Sequence, residues 1–111
     1  MLDELTFRRN ADQAIESLKK SLIDAEEDGG FEVEEQNGVL NVVFDEPPAK
    51  FVITPNAPVR QIWISALSTS FKLDWSEKAG EFVLPKDSLP LKPLVARLIN
   101  EQLGKESVML E

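Results

Sequence analysis

Seven carboxylates crowd into twelve residues: Asp24, Glu26, Glu27, Asp28, Glu32, Glu34 and Glu35, with no base among them. Oxygen-only donors suit hard cations such as Ca²⁺, Mg²⁺, Mn²⁺, Fe²⁺ and Fe³⁺. Four of the seven fall at the C-terminal end of a helical pattern. The helix dipole is negative there, and each acid costs about 0.3–1 kcal/mol. A bound cation would offset that cost. The same residues also fit a second reading, a solvated acidic face that keeps the chain soluble. Their spacing does not follow a D-x-D-x-D-G loop with a Glu at position twelve, so any cation site here is open, exposed and weak. Acids on an exposed rim do not have their pKa values driven apart, so acid–base catalysis is not expected of them.

A second group surrounds Trp63. In the run Val59 to Ala66, alternation places Arg60, Ile62, Ile64 and Ala66 on one face and Val59, Gln61, Trp63 and Ser65 on the other. The isoleucine set is the more apolar and belongs to the core. Trp63 is then left on the open face of a sheet beside Gln61, where a Trp among polar groups suits protein recognition. The bland alternative is a Trp that merely covers its sheet neighbours.

Other chemistry is missing. The chain has no Cys and no His, which removes thiolate nucleophiles, disulfides, Cys-based zinc sites and the usual neutral-pH base. There is no G-x-S-x-G, P-loop or G-x-G-x-x-G. The expectation is no catalytic residue and no enzyme.

The elements that must position these residues follow from periodicity. Phe7, Ala11, Ile15, Leu18, Leu22 and Ala25 form one stripe of a helix over 3–27, stopped by Gly29-Gly30. Glu4–Arg8, Arg8–Asp12 and Glu16–Lys20 can pair at i,i+4 on its outer side. The period then changes to two. Asn37-Gly38 between alternating runs predicts a type I′ hairpin of strands 31–36 and 39–44, pairing Gln36 with Val39 and Phe31 with Phe44. Phe31, Val33, Leu40, Val42 and Phe44 share its buried face, while Glu32, Glu34 and Asn41 point the other way. Pro47-Pro48 breaks the ladder. Further strands are expected at about 50–54, 59–66, 71–75 and 81–84. A helix over about 88–103 follows, capped by Asp87 or Ser88 and ended by Gly104, with a short tail at 105–111. The fold class is α+β: a two-layer sandwich of two helices on one face of a single antiparallel sheet, in α-β6-α order.

With 111 residues the chain is expected to be one domain, 1–111. Its net charge of −8 is uneven. Residues 1–46 hold thirteen acids and four bases; residues 47–111 hold seven acids and eight bases. That balance disfavours nucleic acid and anionic membranes, and favours cations or a basic protein. The start shows no signal or transit pattern, so a cytoplasmic setting is expected.

Four segments carry a resemblance. Asn37-Gly38-Val39-Leu40-Asn41-Val42, Phe51-Val52-Ile53, Pro58-Val59-Arg60-Gln61-Ile62-Trp63-Ile64-Ser65 and Phe71-Lys72-Leu73-Asp74-Trp75 resemble the frataxin family in its bacterial branch. The resemblance runs from Leu2 to about Leu103. It implies a small iron-binding sandwich that regulates iron–sulfur cluster assembly by docking on a cysteine desulfurase and its scaffold. It implies weak binding of Fe²⁺ or Fe³⁺, with other hard divalent cations competing, on Asp24, Glu26, Glu27, Asp28, Glu32 and Glu34. It implies a partner surface at Arg60, Gln61 and Trp63, with Lys72 on the next strand. A monomer is expected, with iron-dependent oligomers as an option. A mitochondrial setting applies if a targeting segment has been removed. An acidic interaction module with incidental metal binding and a ferroxidase or iron store are the alternatives. Arg8 and Arg60 stand where this branch often has His, so a His-assisted site is not available. Lys19 and Lys20 shorten the acidic ridge.

Overall fold

A computed structural model describes residues 3–29, 31–45, 48–86 and 88–104, with the side chains of residues 27–29 outside the description. Helix α1 spans Glu4–Gly29. Asp3 starts it: its Oδ1 accepts the Thr6 backbone N–H at 2.7 Å, as an N-cap does. The expected stripe is the buried one, with Phe7, Ala11, Leu18 and Leu22 fully enclosed and Ile15 nearly so. On the solvent side Glu4 and Arg8 meet at 3.4 Å. The helix runs through Gly29; Gly30, the rest of the expected stop, lies outside the described residues.

The hairpin forms as the Asn-Gly signal requires. Strands β1 (Phe31–Gln36) and β2 (Val39–Asp45) pair in the expected register, Gln36 opposite Val39 and Phe31 opposite Phe44. Asn37 and Gly38 both have positive φ, 53° and 80°, the backbone that a type I′ turn demands. Phe44 packs on Phe31 and on Phe51 of the third strand, with ring centroids 5.9 and 4.8 Å apart.

The sheet continues as a meander: β3 (Pro48–Asn56), β4 (Gln61–Ala66), β5 (Thr69–Ser76), β6 (Glu81–Leu84) and β7 (Leu89–Pro90), with spatial order following chain order. Helix α2 spans Leu91–Leu103. Among the described residues, two helices and one antiparallel sheet make the expected α+β sandwich, with seven strands in place of six. The addition is the two-residue β7, which pairs Leu89 with Leu84 and Pro90 with Val83. It uses residues that a helix starting at 88 would have claimed.

Strand β3 is longer than the expected 50–54, because Pro48 pairs with Asp45 and does not break the ladder; three further boundaries differ for local reasons. A 3₁₀ turn at Ala57–Val59 and a left-handed Arg60 (φ 55°) precede β4, so Val59 and Arg60 lie outside the strand. Leu67 and Ser68 form the β4–β5 turn with φ of 53° and 61°, which lets β5 start at Thr69 opposite Ala66. Pro90, not Ser88, sits at the N-cap of α2, with no side-chain cap bond; Asp87 lies outside the described residues. Pro93 is tolerated because N–H groups in a first helical turn have no intrahelical partner to lose.

The sheet lends Phe31 from β1, Leu40, Val42 and Phe44 from β2, and Phe51, Ile53, Ile62, Ile64, Leu73 and Phe82 from the strands beyond to the core. Leu94, Val95, Leu98 and Ile99 contribute from α2. Phe82 ties the layers together, edge-on to Phe7 of α1 at 5.8 Å. Among the described residues no polar or charged side chain is buried, and no helix is long and apolar enough to cross a membrane.

Candidate functional site

Two regions hold the residues singled out by sequence. The first is the acidic rim, where the end of α1 meets β1, an edge strand of the sheet. Asp24 is exposed on the helix, and Glu32 and Glu34 are exposed on the strand. Glu26 behaves differently. It is partly buried, and its Oε2 accepts the Val33 backbone N–H at 2.7 Å. On an edge strand every second N–H lacks a neighbouring strand, so this carboxylate satisfies a donor and blunts the edge. Glu35 is also engaged: Lys19 reaches across from α1 and donates to its Oε1 at 2.9 Å. The hydrogen bond and charge of Glu35 raise the Lys19 pKa above its ordinary value.

The seven-acid run is therefore not uniformly uncompensated. Two of its members tie α1 to β1, and their partners, a backbone amide seven residues away and a lysine sixteen residues away, are invisible in a local charge count. Among the described residues no three acids converge to hold an ion. Glu27 and Asp28 belong to the last turn of α1, but their side chains lie outside the described residues.

The second region is the sheet face opposite the helices. Ile62, Ile64 and Ala66 are buried, so alternation turns Gln61, Trp63 and Ser65 to the open side, as expected. The register sets Trp63 between Thr54 on β3 and Lys72 on β5, and Gln61 opposite Asp74. Lys72 Nζ lies 4.9 Å from a Trp63 ring centroid, within cation–π range. Trp63 Nε1 donates to Gln61 Oε1 at 2.8 Å, and Gln61 Nε2 donates to Asp74 Oδ1 at 2.9 Å. Arg60 is not on this row; its guanidinium donates to the Ala57 carbonyl and closes the turn before β4.

Gln61, Trp63 and Lys72 thus come together, while Arg60 stands at the entrance to their strand. Asp74 was not among the sequence candidates. The signal for it exists: once the β4–β5 register is known, Asp74 is the residue opposite Gln61. Chemically the group offers an aromatic surface, an ammonium and a carboxylate.

On the helix side, a cleft of about 550 Å³ opens between α1 and the start of α2. Trp75, Phe82 and Leu91 line it, with Asn10 and Gln13 on the α1 wall. Trp75 packs against Phe82 at 5.1 Å and is half-buried.

Comparison with known proteins agrees with this architecture. The profile of the frataxin-like domain matches residues 1–105. The iron–sulfur cluster assembly protein CyaY of Azotobacter vinelandii is 32% identical over 96 residues, covering 85% of this chain and 86% of that protein. The same-named protein of Pseudomonas aeruginosa PAO1 is 31% identical, over 83% of this chain and 86% of its own length. Among solved structures, the frataxin of Psychromonas ingrahamii superposes with a TM-score of 0.81 over 97% of both chains at 18% identity, a likeness of fold.

Proposed function

The chain belongs to the frataxin-like family, and from that premise we propose that it serves iron–sulfur cluster assembly as a regulator without catalytic residues. Its open sheet face docks on a cysteine desulfurase and its scaffold, and its acidic rim holds iron loosely as cargo. The observation that carries the reading is the grouping of Trp63, Gln61 and Lys72 on the sheet face away from the helices. A large aromatic held beside a cation on an open sheet is the composition of an interface anchor. Arg60 borders this surface. Its curated relatives carry assembly of iron–sulfur clusters in their names and come from bacteria, which supports a cytoplasmic setting.

Iron is assigned to Asp24, Glu32 and Glu34, with Glu27 and Asp28 from the end of the helix; all are carboxylate donors fit for a hard cation. Glu26 contributes only while it also holds the Val33 amide. That double duty favours a second reading, in which docking is the function and metal binding is incidental. The test is desulfurase turnover with scaffold at fixed iron, with and without the protein, repeated in metal-free buffer. A change in turnover that needs both the protein and iron supports the reading. A change that persists without iron supports the interaction module, and turnover that never responds overturns both.

A further inference from the structure

Trp63 is held from two directions, at its N–H through Gln61 and Asp74 and on its ring by Lys72. We infer that Asp74, acting through Gln61, is a positioning residue that sets the Trp63 indole for docking; the inference rests on the docking reading above.

The chain of donors has only one sense. An indole nitrogen can only donate, and an ionised carboxylate can only accept. Gln61 sits between them with one group of each kind. Its Oε1 takes the Trp63 Nε1–H at 2.8 Å, and its Nε2 gives to Asp74 Oδ1 at 2.9 Å. Asp74 therefore fixes which way the Gln61 amide faces, and the amide fixes the indole. The acceptor at the end is charged, which strengthens the bond that orients the amide. Lys72 lies over the ring from the neighbouring strand, so the indole is held at its N–H end and on its face.

This arrangement has a consequence for recognition. The indole N–H is already used within the chain, so a partner meets the ring's carbon surface and the Lys72 charge. The ring is set before contact, which lowers the ordering cost of binding. Gln61 also cannot be replaced by Glu without placing two carboxylates together, although Glu would still accept from the indole.

Asp74→Ala removes the terminal acceptor, Asp74→Asn keeps an Oδ1, and Gln61→Leu removes the relay. The indole Nε1–H signals of Trp63 and Trp75 are followed by ¹⁵N NMR, with Trp63→Phe assigning them. Affinity for the desulfurase–scaffold complex is measured on the same proteins. In Asp74→Ala and Gln61→Leu the Trp63 signal moves and its solvent exchange rises about three- to tenfold, the Trp75 signal stays, and binding weakens about three- to tenfold, as loss of one orienting hydrogen bond predicts. Asp74→Asn, which keeps an acceptor without the charge, restores both readouts in part. A merely structural Asp74 would lower the melting temperature and leave the Trp63 signal in place, which overturns the inference. A moved signal with wild-type affinity overturns it too, while the docking reading stands. Failure of the wild-type protein to bind, with Trp63→Ala no different, overturns the docking reading and the positioning role together.

Discussion

Glu26 and Asp24 are two residues apart in one acidic run, yet the structure gives them opposite worth. Glu26 holds the Val33 amide, so Glu26→Ala leaves a partly buried donor unmet and should cost about 1–2 kcal/mol in urea denaturation. Asp24 is an exposed acid in the C-terminal part of α1. Asp24→Lys should therefore stabilise by about 0.3–1 kcal/mol at low salt, fading as salt is added. Equal effects at the two positions would mean that the latch carries no weight. At the other end of α1, hydrogen bonding from the Thr6 backbone lowers the Asp3 pKa. A depressed carboxyl adds stability at pH values above its unfolded pKa, and that stability is lost as the pH falls through the folded pKa. Asp3→Ala should accordingly flatten the acid limb of a stability–pH curve and lower the neutral plateau. A mutant curve parallel to wild type would remove Asp3 from the cap.

At the scale of elements, the two sheet faces make a comparison. Phe82 is buried between Phe7 and Trp75, and Phe82→Ala should cost about 3–5 kcal/mol. Trp63 faces the open side, and Trp63→Ala should cost about 1 kcal/mol or less, the range of substitutions away from the core. Trp75 lines the helix-side cleft and should fall between them. Thermal or chemical denaturation decides this, and a Trp63→Ala protein as unstable as Phe82→Ala would reverse the face assignment. That assignment was legible because Ile62 and Ile64 set the alternation. The first hairpin was legible because Asn-Gly names its own turn. The β4–β5 turn was not: Leu67-Ser68 places a bulky residue at positive φ, a cost of about 1–2 kcal/mol that only the surrounding ladder can impose. The start of β4 was hidden similarly, since Arg60 leaves the alternation by turning left-handed. At the candidate site, sequence found the residues that share a strand or a short run. It missed Asp74 and the Glu26 latch, because both depend on pairings across elements.

For the whole molecule, the meander converts order along the chain into position across the sheet. Strand order equals chain order, so the acid-rich first part of the sequence becomes one edge, and Trp63 and Lys72 fall near the middle. Three strand intervals separate β1 from β4, about 14 Å at the usual strand spacing. Exposed charges that far apart are largely screened at physiological salt, where the Debye length is about 8 Å. Cation binding and docking should therefore separate cleanly. Ca²⁺ or Mn²⁺ at millimolar concentration should raise the melting temperature above that in NaCl of equal ionic strength, because a ligand that prefers the folded state stabilises it. The combined variant Asp24→Asn, Glu32→Gln, Glu34→Gln should lose that increment while its Trp63 indole signal stays at the wild-type position. An increment that survives in the variant would move the cation off this edge. A shifted Trp63 signal would show that the edge and the open face are coupled through the sheet itself, since direct electrostatics cannot reach that far.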